Sequence, residues 1–387
     1  MRVQATVSLS HQGIESSRKM ANKKKSRNHV TLLDVAKASG FAVSTVSIVL
    51  NEAPLSQNVA VSTRERIRAA AQTLGYYPDA FARSLRRNRS QMIGVIIYDL
   101  SDPYCISIIH GIEDHLQSLG YLPQLMDARS QRSLFDRYLQ MALERRAEGI
   151  IVIASWVFDE TALLADVKKN HVPIVVVGRD MTSRKISSVL VDNEAGGYLA
   201  LQHLYELGHR KIAIIRGPEE MFDSQPRWAG LQRYASEVKL ELNPALVHQL
   251  PGQISPFSSY DNGIRLTEKL LEAKQDFSAV LAFDDLTALG VIHCLHQAGF
   301  HVPKDFSVIG FDDVFPAAVS LPAITTIRQS MSQMGETAAR WMMEALTAKE
   351  QGASLQVRSQ AFPPSLIVRD STASYRKRNL SRRSTGN

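Results

Sequence analysis

The sequence predicts two parts: a small all-α head with a helix-turn-helix, followed by an α/β core of two subdomains. Near the N-terminus there are three short helical patterns, and the second has a hydroxyl-rich face. From residue 92 onwards, Val/Ile-rich runs alternate with helical patterns, which is typical of parallel sheets covered on both faces. Residues 1–90 hold 15 Lys and Arg against 5 Asp and Glu, a net charge of +10. The other 30 Lys and Arg and 33 Asp and Glu leave residues 91–387 at −3, so the basic charge lies in the head.

The first two helices of the head are predicted from their caps and their apolar spacing. Thr31 and Asp34 have the spacing of a capping box, and Gly40 can take the left-handed conformation that ends a helix. A second helix is predicted over residues 43–51. We expect a small core between the two helices, formed by Phe41, Val46 and Leu50 against Val35 and Ala36.

A third helix completes the predicted head, which spans residues 30–77. Ser62 and Glu65 predict a capping box at its start, and Gly75 predicts its end after Leu74. The segment between the second and third helices, residues 52–60, is predicted to be a polar loop without an assigned role.

The outward face of the second helix predicts contact with DNA. A short helix with small and hydroxyl side chains on one face, in a strongly basic head, is typical of a major-groove reader. Binding through phosphates should weaken steeply with salt. For the basic run at residues 23–27, a solvated tail remains an equal alternative. The residues of the outward face are Val43, Ser44, Ser47, Ile48 and Asn51.

Nine motifs follow one another along the chain. They are D-V-A, T-V-S-x-V-L-N, T-R-E-R-I, L-G-Y-x-P-D-A-x-A-R-S-L, I-G-V-I, V-D-N, L-G-H-R-K-I-A, G-F-D-D and I-T-T-I-R-Q. Most are weak alone, but in this order they are specific, and residues 30–370 resemble the lactose/galactose repressor (LacI/GalR) family. The resemblance implies a periplasmic-binding-protein-like core of two lobes. It also implies a dimer that binds a near-palindromic operator and releases or grips it when a small metabolite binds.

The resemblance assigns DNA contacts within the head, with two departures from the family pattern. Ala42 stands where the family usually has a capping Ser, and Ile48 stands where it usually has Arg. An isoleucine packs on a thymine methyl or a sugar edge but cannot read guanine, so the operator should differ at that base pair. The alternative for Ile48 is a packing role. We expect base contacts from Val43, Ser44 and Ile48, and phosphate contacts from Thr31, Thr45, Ser47 and Asn51.

Residues 78–90 resemble the family's hinge helix and linker. A helix of two turns is marginal in water, so the resemblance implies that it becomes ordered when two copies pack on DNA. Ala82, Arg83 and Leu85 are the expected contacts, with Leu85 as an apolar wedge at a minor-groove base step. The alternative for Leu85 is packing against the core.

The core, residues 91–370, is longer than one comfortable hydrophobic core, which predicts two α/β subdomains. The resemblance places the chain's crossovers between lobes near residues 189–193 and 321–328. A cleft between such lobes lies at the carboxyl ends of the strands, where open α/β sheets bind ligands. The predicted strands are Met92–Tyr98, Ile150–Ala154, Ile174–Val177, Ile212–Ile215, Val280–Phe283 and Val308–Gly310. The predicted helices lie near 104–119, 132–147, 194–207, 227–238, 260–273, 285–298 and 331–348.

Five residues are predicted to line that cleft. Arg227 is the expected charged anchor, and the alternative is an ion pair on the surface. Asp285 is the expected acceptor for ligand hydroxyls, and the alternative is that it caps a helix. Asp284 stands where the family has Asn and adds a second negative charge. Aromatic, Arg and Asp groups together suit a polyhydroxylated ligand, which favours a sugar or sugar derivative over a purine. The aromatic candidates are Tyr104, Trp156 and Phe257.

Other classes of protein are less consistent with the sequence. It contains no GxGxxG, P-loop, HExxH or GxSxG motif, and the doublets at 284–285 and 312–313 simply follow apolar strands, so no enzyme, cofactor or metal site is predicted. A periplasmic-type sugar-binding protein without a regulatory role is the main alternative. The N-terminus lacks the apolar stretch of a signal peptide, no segment is long enough to span a membrane, and two cysteines are too few for a disulfide framework. A cytoplasmic protein is therefore expected.

The two ends of the chain are predicted to be disordered and basic. They comprise residues 1–29 and 371–387, and whether translation starts at Met1 or Met20 stays open. The C-terminal segment lacks the leucine heptads that would join dimers into tetramers, so we expect a homodimer.

Overall fold

The computed structural model describes residues 30–77, 89–154, 172–252 and 256–376. The chain divides into two compact units between Ser90 and Gln91. Several predicted features lie outside the described residues: the N-terminal extension, the hinge residues Ala82, Arg83 and Leu85, the core residue Trp156, and residues 377–387 of the predicted tail. The start of the disordered tail at 371 was predicted wrongly, because Ser371 is fully buried and its Oγ donates to the Val308 carbonyl oxygen over 2.6 Å.

The head forms the three predicted helices: α1 (Leu32–Ser39), α2 (Val43–Leu50) and α3 (Val61–Leu74). A short 3-10 helix, Pro54–Asn58, lies in the segment predicted as a loop. The expected Leu50 is only half-buried, and Val49 occupies the fully buried position instead, since it lies three residues after Val46 on the same side of α2. The core of the head consists of Val35, Ala36, Val46, Val49, Ile67 and Ala71.

The caps of the head agree with the sequence at α1 and at the end of α3, where Gly75 has a φ of 64°, and differ at the start of α3. The Thr31 amide donates to Asp34 Oδ2 over 2.9 Å, and the Asp34 amide donates to Thr31 Oγ1 over 3.4 Å, so this capping box forms. Gly40 ends α1 at φ 77°. The predicted Ser62–Glu65 box is wrong, because α3 begins one residue earlier, with Ala60 as its N-cap. Ser62 therefore lies inside the helix, where it cannot act as the N-cap.

The core contains two six-stranded sheets, one in each lobe. The first lobe holds β1 (Met92–Ile97), β2 (Leu122–Asp127), β3 (Gly149–Ile153), β4 (Ile174–Val177), β5 (Ser187–Val191) and β11 (Ser359–Phe362). The second holds β6 (Ile212–Arg216), β7 (Val247–Gln249), β8 (Ala279–Leu281), β9 (Ser307–Asp312), β10 (Thr325–Arg328) and β12 (Ser365–Ile367). Their orders are β11-β5-β4-β3-β1-β2 and β12-β10-β9-β8-β6-β7. The strands pair in parallel except for the antiparallel pair β10–β12.

Every helix predicted for the core is present, together with the six predicted strands. The predicted helices are α4 (Pro103–Ser118), α5 (Arg132–Glu144), α6 (Asn193–Glu206), α7 (Ser224–Glu237), α8 (Pro256–Glu272), α9 (Asp285–Gln297) and α11 (Met331–Glu350). The short helix α10 (Phe315–Val319) was not predicted. The sequence missed six strands. The edge strands β2, β7, β11 and β12 lack long Val/Ile runs because part of each is exposed, and the interior strands β5 and β10 lie where only crossovers between lobes were predicted. Among the described helices, no single one is long and apolar enough to cross a membrane; α1 and α2 pass that test only as a pair bent by 108°.

The chain passes between the lobes three times. It leaves the first sheet after β5, returns after β10, and leaves again after β11 through Pro363 and Pro364 to reach β12. The first two passages coincide with the predicted crossovers. The third was not predicted, because β11 and β12 are short and most of their residues are not buried.

Three helix pairs of the core approach each other closely through reciprocal glycines. A Cβ built on Gly111 of α4 would lie 2.1 Å from the Ser332 carbonyl oxygen of α11, and one on Gly335 would lie 2.0 Å from that of Ile108. In the pair α6–α7, a Cβ on Gly197 would lie 2.0 Å from the Arg227 carbonyl oxygen. Gly230, Gly263 and Gly290 make equivalent approaches in the pairs α6–α7 and α8–α9. Because backbone rather than a flexible side chain fills each space, a side chain there would force the helices apart.

We expect Gly111→Ala to lower the free energy of unfolding of the protein by about 1–3 kcal/mol, the usual cost of inserting a methyl group into closely packed structure. Gln117→Ala, at an exposed position of the same helix, is the control and should change it little. The measurement is urea denaturation followed by circular dichroism. Equal stabilities of the two variants would contradict the close approach of α4 and α11.

Candidate functional site: a nucleic-acid interface and an interlobe cavity

The outward side of α2 carries the predicted base-contacting residues. Val43 is 42% exposed, Ser44 is exposed, and Ile48 is half-buried. Val46 and Val49, on the opposite side of the helix, are buried in the core of the head. The structure therefore presents these three candidates on one helix face, as a groove-reading helix requires.

Three of the predicted phosphate contacts are also bonded within the head. Asn51 Nδ2 donates to the Ser47 backbone oxygen over 2.8 Å and to Ser47 Oγ over 3.1 Å. Thr31 Oγ1 donates to Asp34 Oδ2 over 2.6 Å. These contacts hold the end of α2 and the start of α1. Thr45 is half-buried on α2.

Ala42 is the N-cap of α2 and provides no side-chain hydrogen bond there. The first amides of the helix therefore need water or another acceptor. Nearby, the Arg66 guanidinium of α3 lies 5.0 Å from the centre of the Phe41 ring and donates to the Ser39 carbonyl oxygen over 3.4 Å, which attaches α3 to the turn between α1 and α2.

A cavity of about 80 Å³ lies at the carboxyl ends of strands from both lobes. Tyr98 and Asp102 line it after β1, Ala154 after β3, and Asp284 after β8. Asp312, the last residue of β9, completes this set. The location agrees with the predicted cleft, because the carboxyl ends of parallel strands leave a crevice for ligands.

Arg227 of α7 is the cation of this cavity and is only 8% exposed. Its Nε donates to Asn193 Oδ1 over 2.7 Å, and NH1 donates to the Phe283 carbonyl oxygen over 2.8 Å. The third nitrogen, NH2, lies 3.8 Å from Asp312 Oδ1. The guanidinium also lies 3.6 Å from the centre of the Phe311 ring. The alternative of surface pairing is therefore wrong: Arg227 is a buried, oriented cation in the cavity wall.

Asp312, for which the sequence predicted no role, is the carboxylate that faces Arg227. Its Oδ1 accepts from Gln329 Nε2 over 2.6 Å in addition to the ion pair with Arg227. Asp312 has a φ of 109° and Asp313 a φ of 60°. Residues other than glycine rarely adopt such positive values of φ. Burial and the neighbouring carboxylates Asp285 and Asp284 raise the pKa of Asp312, although Arg227 lowers it. The signal in the sequence was the doublet at the end of an apolar strand.

Asp285 does not line the cavity, so its predicted contact with ligand hydroxyls is corrected. Its side chain is fully buried, with Oδ1 accepting from Thr326 Oγ1 over 2.6 Å and Oδ2 accepting from the Val314 amide over 3.0 Å. Asp284, which precedes it, lines the cavity and caps α9 by accepting from the Thr287 amide over 2.6 Å. Asp285 thus supports the cavity from behind, by joining α9 to β10 and to the chain after β9.

Of the three aromatic candidates, the structure describes the side chain of Tyr104 alone. Tyr104 lines the cavity, and burial together with the nearby carboxylates Asp223 and Asp312 raises the pKa of its hydroxyl. Phe257 lies in α8, but its side chain is outside the described residues, as is Trp156. Phe283, not singled out from the sequence, also lines the cavity. In the described part of the chain, no group of three or more His, Cys, Asp or Glu is arranged to hold a metal ion.

A helix-turn-helix head and two α/β lobes around a polar cavity define a ligand-responsive DNA-binding regulator. Residues 31–79 match the model of the bacterial regulatory proteins, lacI family, and residues 201–372 match the periplasmic binding protein-like domain. The HTH-type transcriptional repressor PurR of Haemophilus influenzae (strain PittEE) is 34% identical over 346 residues, covering 89% of this chain and 99% of the relative. The chain therefore belongs to the LacI family of bacterial regulatory proteins.

Solved structures agree with this assignment. The lac repressor dimer bound to operator and the anti-inducer ONPF has a TM-score of 0.74 at 28% identity, covering 89% of this chain and 100% of that one. A LacI family regulator from Enterococcus faecium with bound ribose has a TM-score of 0.64 at 28% identity, covering 74% and 100%. These relatives confirm the predicted fold, and the repressors among them confirm that the chain is a transcriptional regulator and not an enzyme.

The raised pKa of Asp285 predicts a pH-dependent stability. Burial is the main cause, and the pKa rises from 3.8 to about 8. Between these values the folded protein holds a proton that the unfolded chain has lost, so this group lowers the free energy of unfolding as pH rises from about 4 to 8. Asp285→Asn does not titrate and can still bond both partners, because its amide oxygen can accept from the Val314 amide while its NH2 donates to Thr326 Oγ1. It should lessen that decline in urea denaturation at pH 5, 6, 7 and 8. The exposed Asp276→Asn is the control. If the free energy of unfolding of both variants falls with pH as steeply as that of the unmodified protein, the raised pKa of Asp285 is not the cause.

A cap at position 42 should stabilise the head. Ala42→Ser supplies the missing side-chain acceptor and should raise the free energy of unfolding of the head by about 1 kcal/mol. Thermal unfolding followed by circular dichroism measures the effect. Ala38→Ser, at an exposed position within α1, tests a hydroxyl without a capping role and should give no gain; the same gain from both would contradict the prediction.

Proposed function

We propose that this repressor binds a near-palindromic operator as a homodimer and responds to a small polyhydroxylated ligand, a sugar or sugar derivative, in the interlobe cavity. The observation that carries the proposal is the buried Arg227–Asp312 pair, which lines a cavity at the strand ends of both lobes. Charged groups beside aromatic rings fix hydroxyl pairs and sugar faces. The ribose bound to the Enterococcus faecium regulator supports the same ligand class.

On the DNA side, α2 enters the major groove. Val43, Ser44 and Ile48 contact base edges, while Thr31, Thr45, Ser47 and Asn51 hold phosphates. The hinge residues Ala82, Arg83 and Leu85 contact the minor groove, with Leu85 as the wedge. The alternative of a periplasmic-type sugar-binding protein without a regulatory role leaves the match of residues 31–79 unexplained.

A second copy of the chain is the partner that a near-palindromic operator requires, because two-fold DNA symmetry is matched by two-fold protein symmetry. The core exposes large apolar side chains that a partner would cover. In the second lobe, Phe315 is 77%, Val319 59% and Leu321 94% exposed, and in the first lobe Leu122 on the edge strand β2 is 65% exposed. The lac repressor is a dimer on its operator.

The ligand regulates DNA binding through thermodynamic linkage between the two binding events, ligand binding and operator binding. A ligand that binds one arrangement of the lobes more tightly changes the population of dimers able to bind DNA, and DNA changes the affinity for the ligand by the same factor. Such a repressor acts in the cytoplasm, on the nucleoid when bound to its operator.

Selection from randomised duplex DNA tests the proposal. The full-length protein should enrich a near-palindrome at physiological salt, and gel shifts with that duplex should change on addition of a ligand from a metabolite panel. Enrichment of no sequence over random DNA would disprove it.

The variant Ile48→Arg sharpens this test. Arginine can donate two hydrogen bonds to guanine, so the variant should prefer guanine at one base pair of each half-site by about 1–3 kcal/mol, a preference absent from the unmodified protein. Replacement of the buried Val49 is unsuitable as a control, whereas the exposed Lys37→Arg leaves α2 unchanged. If Ile48→Arg and the control select the same base pairs, then Ile48 does not face a base.

A further inference from the structure

Carboxylates greatly outnumber cations around the interlobe cavity. Asp99, Asp102, Asp223, Asp284 and Asp312 line it, and within the described residues Arg227 is the one Lys or Arg side chain that does. With all five carboxylates ionised, the wall would carry four negative charges in excess. A site that binds neutral hydroxyls needs acceptors, but it does not need this excess of charge.

The protein satisfies both oxygens of Asp99, since Oδ1 accepts from the Ser101 amide over 3.0 Å and Oδ2 accepts from Ser130 Oγ over 2.8 Å, but it only partly satisfies the other carboxylates. Asp102 Oδ1 accepts from the Tyr104 amide over 3.0 Å, Asp223 Oδ1 from Asn193 Nδ2 over 2.9 Å, and Asp284 Oδ1 from the Thr287 amide. Each donor is neutral, so it orients a carboxylate without cancelling its charge. Of these five carboxylates, Asp312 alone lies next to a cation in the described part of the chain, with Arg227 at 3.8 Å.

An independent observation also indicates a missing donor. Gln329, which lines the cavity, is 5% exposed, and its Nε2 donates to Asp312. Its Oε1 is buried and has no hydrogen-bond partner within the described chain. A buried acceptor without a donor costs free energy, which a ligand with N–H or O–H groups would recover.

The crowding of carboxylates is visible in their proton affinities. Burial, together with the nearby Asp284 and Asp99, raises the pKa of Asp102 to about 7. Burial, with the nearby carboxylates Asp285, Asp284 and Asp102, also raises the pKa of Asp312. A cation in the cavity would reverse both effects, because an opposite charge nearby favours the ionised carboxylate.

We propose that the ligand of this cavity carries a protonated amine in addition to hydroxyl groups, as an amino sugar does. The amine lies among Asp102, Asp284 and Asp312, and the hydroxyls meet Arg227 and the amide oxygen of Gln329. The rings of Tyr98 and Tyr104, which also line the cavity, add the attraction of an aromatic face for a cation. This inference rests on the proposed function, since it assumes that the cavity is the ligand site.

The same arrangement disfavours other ligand classes. A phosphorylated or carboxylated ligand would bring negative charge to a wall already in excess of it. A neutral sugar would satisfy hydrogen bonds but leave the carboxylates uncompensated. Charge-assisted hydrogen bonds are roughly twice as strong as neutral ones, so an amine should bind more tightly than its neutral counterpart.

Matched compounds test the inference on the full-length protein. Isothermal calorimetry at pH 7 would compare D-glucosamine, D-galactosamine and D-mannosamine with their N-acetyl derivatives, their parent sugars and the parent sugar 6-phosphates. At least one amine should bind about tenfold more tightly than its N-acetyl and parent forms, and the phosphates should not bind. Tighter binding by a neutral or phosphorylated compound, or no binding by any amine, would overturn the inference.

The variant Asp284→Asn tests the role of charge without removing a helix cap, because Asn accepts from the Thr287 amide as Asp does. It should reduce the ratio of amine to N-acetyl affinity about tenfold and raise the melting temperature of the ligand-free protein, since it removes one of several like charges. Asp276→Asn, far more exposed, should change neither quantity. An unchanged affinity ratio in Asp284→Asn would count against the inference.

The operator distinguishes failure of this inference from failure of the proposed function. If the protein binds its selected operator, and a neutral sugar rather than an amine changes that binding, the ligand class is wrong and the proposed function stands. If no palindrome is selected, the proposed function fails, whatever the calorimetry shows.

Discussion

The burial of the Arg227 guanidinium is the constraint on which the cavity depends. An uncompensated buried charge is very costly, so every nitrogen of this group must face an acceptor. Asn193 at the start of α6, the Phe283 carbonyl after β8 and Asp312 at the end of β9 supply them. One side chain therefore fixes the relative positions of three chain segments in the second lobe. The glycine approach of Gly197 to the Arg227 carbonyl brings the backbone of α7 close enough for these contacts.

Further polar contacts, made mostly by residues that do not line the cavity, hold the chain next to Asp312. Asp285 joins Thr326 of β10 to the Val314 amide, and Asp313 forms ion pairs with Arg328 and Arg369. The unusual backbone of residues 312 and 313 is thus held between partners on several elements. Strained backbone of this kind persists only where the surroundings determine it, and it is found more often at binding sites than elsewhere.

Most of the fold could be predicted from the sequence, because helix caps and buried Val/Ile runs are local signals. Thr31, Gly40 and Gly75 predicted helix ends correctly. The edge strands were not predicted, because their apolar runs are short and interrupted by polar residues. The site was harder to predict. Arg227 was found, but Asp285 was chosen where Asp284 and Asp312 line the cavity. Spacing along the chain places both members of a doublet at the end of a strand, and only the register of the strand and the next helix decides which one points inward.

The three passages between lobes have a consequence for where the ends of the chain lie. An odd number of passages means that a chain entering the first lobe must finish in the second, and the Tyr375 amide indeed donates to the Leu207 carbonyl there. Residue 91 and residue 376 therefore belong to different lobes, so a ligand that changed the arrangement of the lobes would change the distance between them. A pair of fluorophores at these two places would convert ligand binding directly into a change in energy transfer, without any DNA being present.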